Sequence, residues 1–204
     1  MEFRLLYQGK LLSDGDSKHK HEVRRHFHPQ LRKLWESNPF LASMMDREFS
    51  VLEKDFFGLG FPKSWSLSMY ADSFKAGSFR FVPLISRYFA TACSLNILLL
   101  KPEGSNPLIS QSGDIDNRIK TLLDALRIPK LGQEMQQIRP APEEDPFFCL
   151  LEDDSLISGF DVTGDRLLIP PLPTVGHWNN YAVLVIDVKI KLLASTPLNH
   201  PFLG

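Results

Sequence analysis

Apolar residues at 115, 119, 122, 123 and 126 recur at the i, i+4, i+7, i+8 spacing of one helical face, and they predict a helix over about 115–127. The run 95–101 (Leu-Asn-Ile-Leu-Leu-Leu-Lys) reads instead as a strand, as do 2–12, 78–82, 147–151, 155–163 and 181–193. A longer helix is predicted over about 18–37, broken or kinked near Pro29, because proline removes a backbone donor and crowds the preceding turn. Asn38-Pro39 then separates it from a second helix over about 40–55, with Leu41, Met44, Met45, Phe49, Leu52 and Phe56 on one side. Gly58, Gly60 and Pro62 mark a loop, and 194–204 reads as a tail.

Strands that flank helices without a regular β-α alternation predict an α+β fold: a mixed β-sheet packed with helices on one side. At 204 residues the chain suits a single domain over 1–204, with residues 36–90 as a helical insertion in its amino-terminal half. The hydrophobic share of 43% is enough for a core, and no apolar run approaches the 18 or so residues of a membrane span. With no signal peptide in evidence, the expected location is the cytoplasm. Cys93 and Cys149 both sit in apolar runs and read as buried free thiols rather than a disulfide.

The candidate chemistry gathers at the start of the motif helix, in Gly113-Asp114-Ile115-Asp116-Asn117-Arg118-Ile119-Lys120. Free N–H groups and the helix dipole favour acids there, so Asp114 or Asp116 can serve as an N-cap or first-turn acid. Lys120 stands one turn beyond Asp116 on the same side. Capping plus a surface ion pair would account for this stretch alone. A second acidic knot, Glu152-Asp153-Asp154-Ser155, precedes the strand at 155–163 and shifts the balance. Two carboxylates held about 4 Å apart repel by roughly 4 kcal/mol at an effective dielectric of 20. One lysine is too little for three acids, whereas a hard divalent cation, Mg²⁺ or Mn²⁺, suits an all-oxygen donor set and phosphate chemistry.

In these positions the chain resembles the RusA-type Holliday-junction resolvases, whose signature is an Asp-x-Asp-Asn-x-x-Lys helix start, a following Asp-Ala/Gly-Leu and a later Asp-Asp-Ser/Ala leading into a strand. The matching residues are Asp114, Asp116, Asn117, Lys120, Asp124-Ala125-Leu126 and Asp153-Asp154-Ser155. The resemblance covers roughly 95–192 and implies a RusA-like fold. It makes Asp114, Asp116 and Asp154 the metal-binding acids and Lys120 the catalytic lysine. It implies Mg²⁺-dependent cutting of branched DNA in recombination and repair, and two sites for symmetric cutting, hence a homodimer. The link from the helix to Asp153 is longer than the family's short turn and carries Pro129, Pro140, Pro142 and Pro146. Residues 170–180 form a further insertion. These additions keep two alternatives open: a module that binds DNA structure or a protein partner without turnover, and a nuclease effector in phage conflict.

A net charge of −1 gives no global attraction to nucleic acid, so contact must come from a local basic surface. The candidate is the segment 18–33, with six lysines and arginines against one acid. Lys18, Lys20, Arg24 and Arg25 there, with Arg118 on the motif helix, are the expected nucleic-acid contacts, against the alternative of a merely solvated helix face. His19, His21, His26 and His28 lack cysteine partners, and the acids lie elsewhere, which argues against zinc.

Overall fold

The computed structural model describes residues 1–45, 49–50, 64–102, 112–130, 135, 138–168, 180–196, 198–199 and 202, with the backbone alone described at 49–50, 64 and 112–114. The chain order is β1 (Glu2–Lys10), α1 (Ser17–Ser37), α2 (Pro39–Met45), β2 (Phe49–Ser50), β3 (Ser64–Trp65), α3 (Leu67–Asp72), β4 (Lys75–Ala76), β5 (Phe79–Ile85), β6 (Thr91–Pro102), α4 (Ser112–Leu126), β7 (Phe147–Leu151), β8 (Ile157–Leu167) and β9 (Tyr181–Leu192).

A mixed four-stranded sheet in the order β1-β9-β6-β8 forms the centre, β6 running parallel to β8 and antiparallel to β9. Period-2 alternation puts Leu5 and Tyr7 of β1, Leu95, Ile97 and Leu99 of β6, and Leu184, Ile186 and Val188 of β9 into the core. Val23, Phe27, Leu31 and Trp35 of α1 and Ile119, Leu122, Ala125 and Leu126 of α4 join the same cluster. The helical stripes of α1 and α4 are therefore buried against the sheet, as an α+β fold requires. A smaller sheet, β4-β5-β7, pairs β5 and β7 in parallel over a second core of Phe79, Phe81, Phe147, Cys149, Ile128 and Met135.

Several expectations change. Helix α1 is one element through Pro29, which lies on its exposed side, where loss of one donor is tolerated. The second helix stops at Met45, and the rest of its expected span, apart from the strand pair at 49–50, lies outside the described residues. The region 36–90 is not purely helical: β2, β3, β4 and β5 occupy it, because Phe79-Arg80-Phe81-Val82-Pro83-Leu84-Ile85 forms a largely buried strand. The expected tail is tied down at its described residues. Leu198 and Phe202 are buried, and the Asn199 amide donates to the carbonyls of Phe89 and Ala194. Among the described residues no helix is long and apolar enough to cross a membrane.

Candidate active site

Helix α4 begins earlier than its apolar periodicity suggests, so Asp114 lies within its first turn rather than ahead of it. The side chain of Asp114 lies outside the described residues. Asp116 and Lys120 are exposed, one turn apart, and neither meets a described partner, while Ile119 and Leu122 between and beyond them are buried. The amino-terminal half of α4 is anchored at one end of the sheet. Arg118 donates to the Leu11 carbonyl and to Asn180 Oδ1 at 3.0 Å, and the Gly15 N–H donates to Thr121 Oγ1 at 3.2 Å. Gly15 is needed there, because a Cβ would stand 2.7 Å from both the His19 ring and Thr121 Cγ2.

The carboxyl-terminal end of α4 meets the second acidic knot. Arg24 of α1 donates to the carbonyls of Arg127 and Asp124 at 3.1 and 2.9 Å, and the Ile128 N–H donates to the Leu151 carbonyl at 3.0 Å. Asp154 accepts from Lys130 Nζ at 3.0 Å and lies 3.6 Å from Arg127 Nε. Asp153 is 3.4 Å from Lys130, and Arg87 holds Glu152 through its side chain and its backbone N–H, both at 2.7 Å. Asp124 binds Arg127 through one carboxylate oxygen at 2.5 Å and Lys20 through the other at 2.8 Å.

This knot is balanced. Four acids (Asp124, Glu152, Asp153, Asp154) face four cations (Lys20, Arg87, Arg127, Lys130). Hydrogen bonding from Ser155, followed by the Lys130 charge, pulls the Asp153 carboxyl down to about 2. Burial opposes ionisation of Asp124, but Lys20 and Arg127 outweigh it and hold that carboxyl below the usual range. Contact with Asp154 raises the Lys130 ammonium. The carboxylates already have their counter-charges, so by itself the knot does not fit a divalent cation. Among the described residues no three His, Cys, Asp or Glu side chains gather to hold a metal.

The two acidic regions stand apart within one chain. Asp124 and Arg127, beside Asp154, follow Asp116 by two to three turns, roughly 12–17 Å along the helix axis. The sheet gives the same separation. Ile157, just after Asp154, pairs with Cys93, whereas Tyr181, next to the Arg118 partner Asn180, pairs with Lys10 near the far end of β6. From Cys93 to Leu100, which faces Val183 of β9, the strand climbs on the order of 23 Å. Within one chain Asp116 thus stands roughly 12–17 Å along the α4 axis from the residues that hold Asp154.

The basic segment has a different role from a uniform phosphate-binding face. Arg24 and Arg118 are buried at 2% and 5% exposure and hold backbone carbonyls. Lys20 is joined to Asp124, and Arg25 grips Glu144 through two nitrogens at 2.6 and 3.0 Å. Of the five expected contacts, Lys18 is exposed and left without a described partner. The histidines are structural: His19 Nε2 accepts from the Leu12 N–H, His28 Nδ1 accepts from the Phe148 N–H, and His21 packs on Phe79 and Phe147. Burial pushes His21 down to about 4. Arg127 and Lys130 are cations that the spacing of the motif did not single out. Their signal is an Arg-Ile-Pro-Lys run directly after the helix, where cations suit the negative end of the dipole.

Comparison of the chain with family models, with curated proteins and with solved structures gives no match.

Proposed function

We propose that the protein is a metal-dependent endonuclease of branched DNA that works as a homodimer. The observation that carries this reading is the contrast between the two acidic regions: Asp116 and Lys120 stand exposed on the first turns of α4 with no described partner, while every acid around Asp154 is paired. Charges that meet no partner in the fold are available to a ligand without loss of structure. Asp114 and Asp116 would hold Mg²⁺ or Mn²⁺, with Asp154 of a second copy as the third ligand.

When bound, such a cation supplies Lewis acidity toward the phosphodiester and makes water nucleophilic near neutral pH. The chain's own residues do the positioning. Arg118, locked to Leu11 and Asn180, fixes the helix on which the acids ride. Lys120 offsets the negative charge that develops on the phosphoryl oxygens, which a neutral side chain cannot do. Asp154 would have to give up the Lys130 ammonium to serve as a metal ligand.

Asp116→Asn against labelled four-way-junction DNA in Mg²⁺ tests the reading. Cleavage is expected to fall by at least about a hundred-fold, the scale of a lost electrostatic contact in a transition state. Undiminished cleavage rejects it. A second reading, a module that binds junctions without turnover, is favoured by the full neutralisation of Asp154 by Lys130 and Arg127. Junction binding in EDTA with no cleavage when either metal is restored would establish that one instead.

A further inference from the structure

An ammonium released by Asp154 needs another anion, and the knot shows which of its four cations is free to leave. Arg127 is buried, and its guanidinium donates to Asp124 and to the Ile128 carbonyl. Lys20 is half-buried and sits on Asp124 at 2.8 Å. Arg87 stands out toward solvent, but its side chain holds Glu152 at 2.7 Å and Ser155 at 2.9 Å, and its backbone N–H holds Glu152 as well. Lys130 differs from all three. Its side chain is 51% exposed, and its described partners are the carboxylates of Asp153 and Asp154 alone.

Departure of Lys130 strands neither acid. Asp153 keeps the Ser155 N–H at 3.0 Å and Arg87 at 3.8 Å, and Asp154 keeps Arg127 at 3.6 Å. Exposed ion pairs of this kind contribute little to a fold, so the exchange costs little structure. The backbone beneath the lysine is anchored. Ile128 and Pro129 are buried, and the Ile128 N–H donates to the Leu151 carbonyl at 3.0 Å. Lys130 is thus the first exposed residue after a buried turn: a compact point charge with three donors, on a flexible stem rooted at a fixed place.

We propose that Lys130 is a DNA-phosphate contact held in reserve on Asp154, its ammonium exchanging between that carboxylate and a backbone phosphate of the bound strand. The inference rests on the function proposed above for the identity of the ligand, and it adds to that site a contact outside the acidic motif. The knot is neutral while all four of its cations are paired, so it offers a phosphate no charge until one pair opens. The exchange couples two events. A phosphate that draws Lys130 away uncovers Asp154, and anything that occupies Asp154 frees Lys130 for a phosphate, a coupling that is reciprocal. Asp154 is then uncovered where a strand is seated and covered elsewhere.

The test is equilibrium binding of labelled four-way-junction DNA to the full chain in EDTA, read by fluorescence anisotropy between about 50 and 200 mM salt. One phosphate contact contributes about 0.9 to the slope of log affinity against log salt, so Lys130→Gln is expected to reduce the slope by about that amount. Asp154→Asn leaves Lys130 with Asp153 alone and is expected to tighten junction binding by up to about five-fold, the scale of one exposed ion pair. In the Lys130→Gln background the same substitution is expected to change affinity by less than about two-fold, because the ammonium it would free is gone. An unchanged slope in Lys130→Gln overturns the inference, as does a full gain from Asp154→Asn in the absence of Lys130. Either result still has the chain binding junctions and leaves the function proposed above standing. A wild type that binds no junction at any of these salt concentrations overturns both.

Discussion

Lys130 and Asp154 meet at 3.0 Å beside the carboxyl-terminal end of α4, and the same ammonium reaches Asp153 at 3.4 Å. The pair is half-exposed, so it adds little to stability. Its effect is on the charge available to a ligand, because a cation seated on a carboxylate competes with a metal for the same oxygens. Lys130→Ala is therefore expected to tighten Mg²⁺ binding several-fold in a calorimetric titration and to leave the melting temperature nearly unchanged. Weaker Mg²⁺ binding by this variant would mean that Asp154 is not a metal ligand.

A site assembled from two chains can be rebuilt from two defective ones. Asp116→Asn and Asp154→Asn are each expected to be inactive alone, and mixing them after subunit exchange is expected to return up to about a quarter of the wild-type cleavage. Half the dimers in an even mixture are mixed, and each carries one intact site of two. No recovery on mixing would place all three acids in one chain.

Asp124 follows the signature helix start by a further two turns, yet its geometry is structural. Its carboxylate satisfies Arg127 and Lys20, and Arg127 is only 7% exposed. Asp124→Ala removes the nearest carboxylate from a buried guanidinium that keeps only the Ile128 carbonyl and Asp154 at 3.6 Å, and it is expected to lower the unfolding free energy by about 2 kcal/mol, measured by urea denaturation. Mg²⁺ affinity should be retained. A stable Asp124→Ala that loses Mg²⁺ would reverse the assignment.

The buried histidines set the acid limit of the fold. His21 titrates at about 4 in the folded chain against an ordinary value near 6.5, burial being the first cause and the neighbouring Arg24 the second. His19 and His28 shift the same way, also through burial. The unfolded chain thus binds more protons than the folded one in this range, so stability is full above about pH 6.5 and falls as pH drops toward about 4. His21 alone accounts for up to about 3 kcal/mol of this loss. His21→Phe should flatten the dependence of the urea midpoint on pH between neutrality and the acid limit, and an unchanged slope would contradict the assignment.

The main sheet and both long helices are legible in the chain because their patterns are local. Leu95-Asn96-Ile97-Leu98-Leu99-Leu100 alternates as a strand, and 115, 119, 122 and 126 repeat as a helix. The basic run misleads for the converse reason. Lys20 and Arg24 look like a solvated charged face until Asp124 and the Arg127 carbonyl, distant in the chain, arrive to meet them. Arg25 likewise depends on Glu144 in a segment that reads only as a proline-rich link. The acidic motif is visible as residue types and spacing. What spacing cannot supply is the direction of α4 relative to β8, which sets Asp116 two to three helical turns from the residues that hold Asp154.

If Asp114, Asp116 and Lys120 serve metal-dependent cleavage of branched DNA, the wild-type chain must show it on a panel of labelled four-way junction, flap, duplex, single strand and RNA, in Mg²⁺ and in EDTA. Paired nicks on opposing strands of the four-way junction are expected in Mg²⁺, with little cutting of the other substrates and none in EDTA. Binding to the junction with no nick in Mg²⁺ or Mn²⁺ would contradict the assignment.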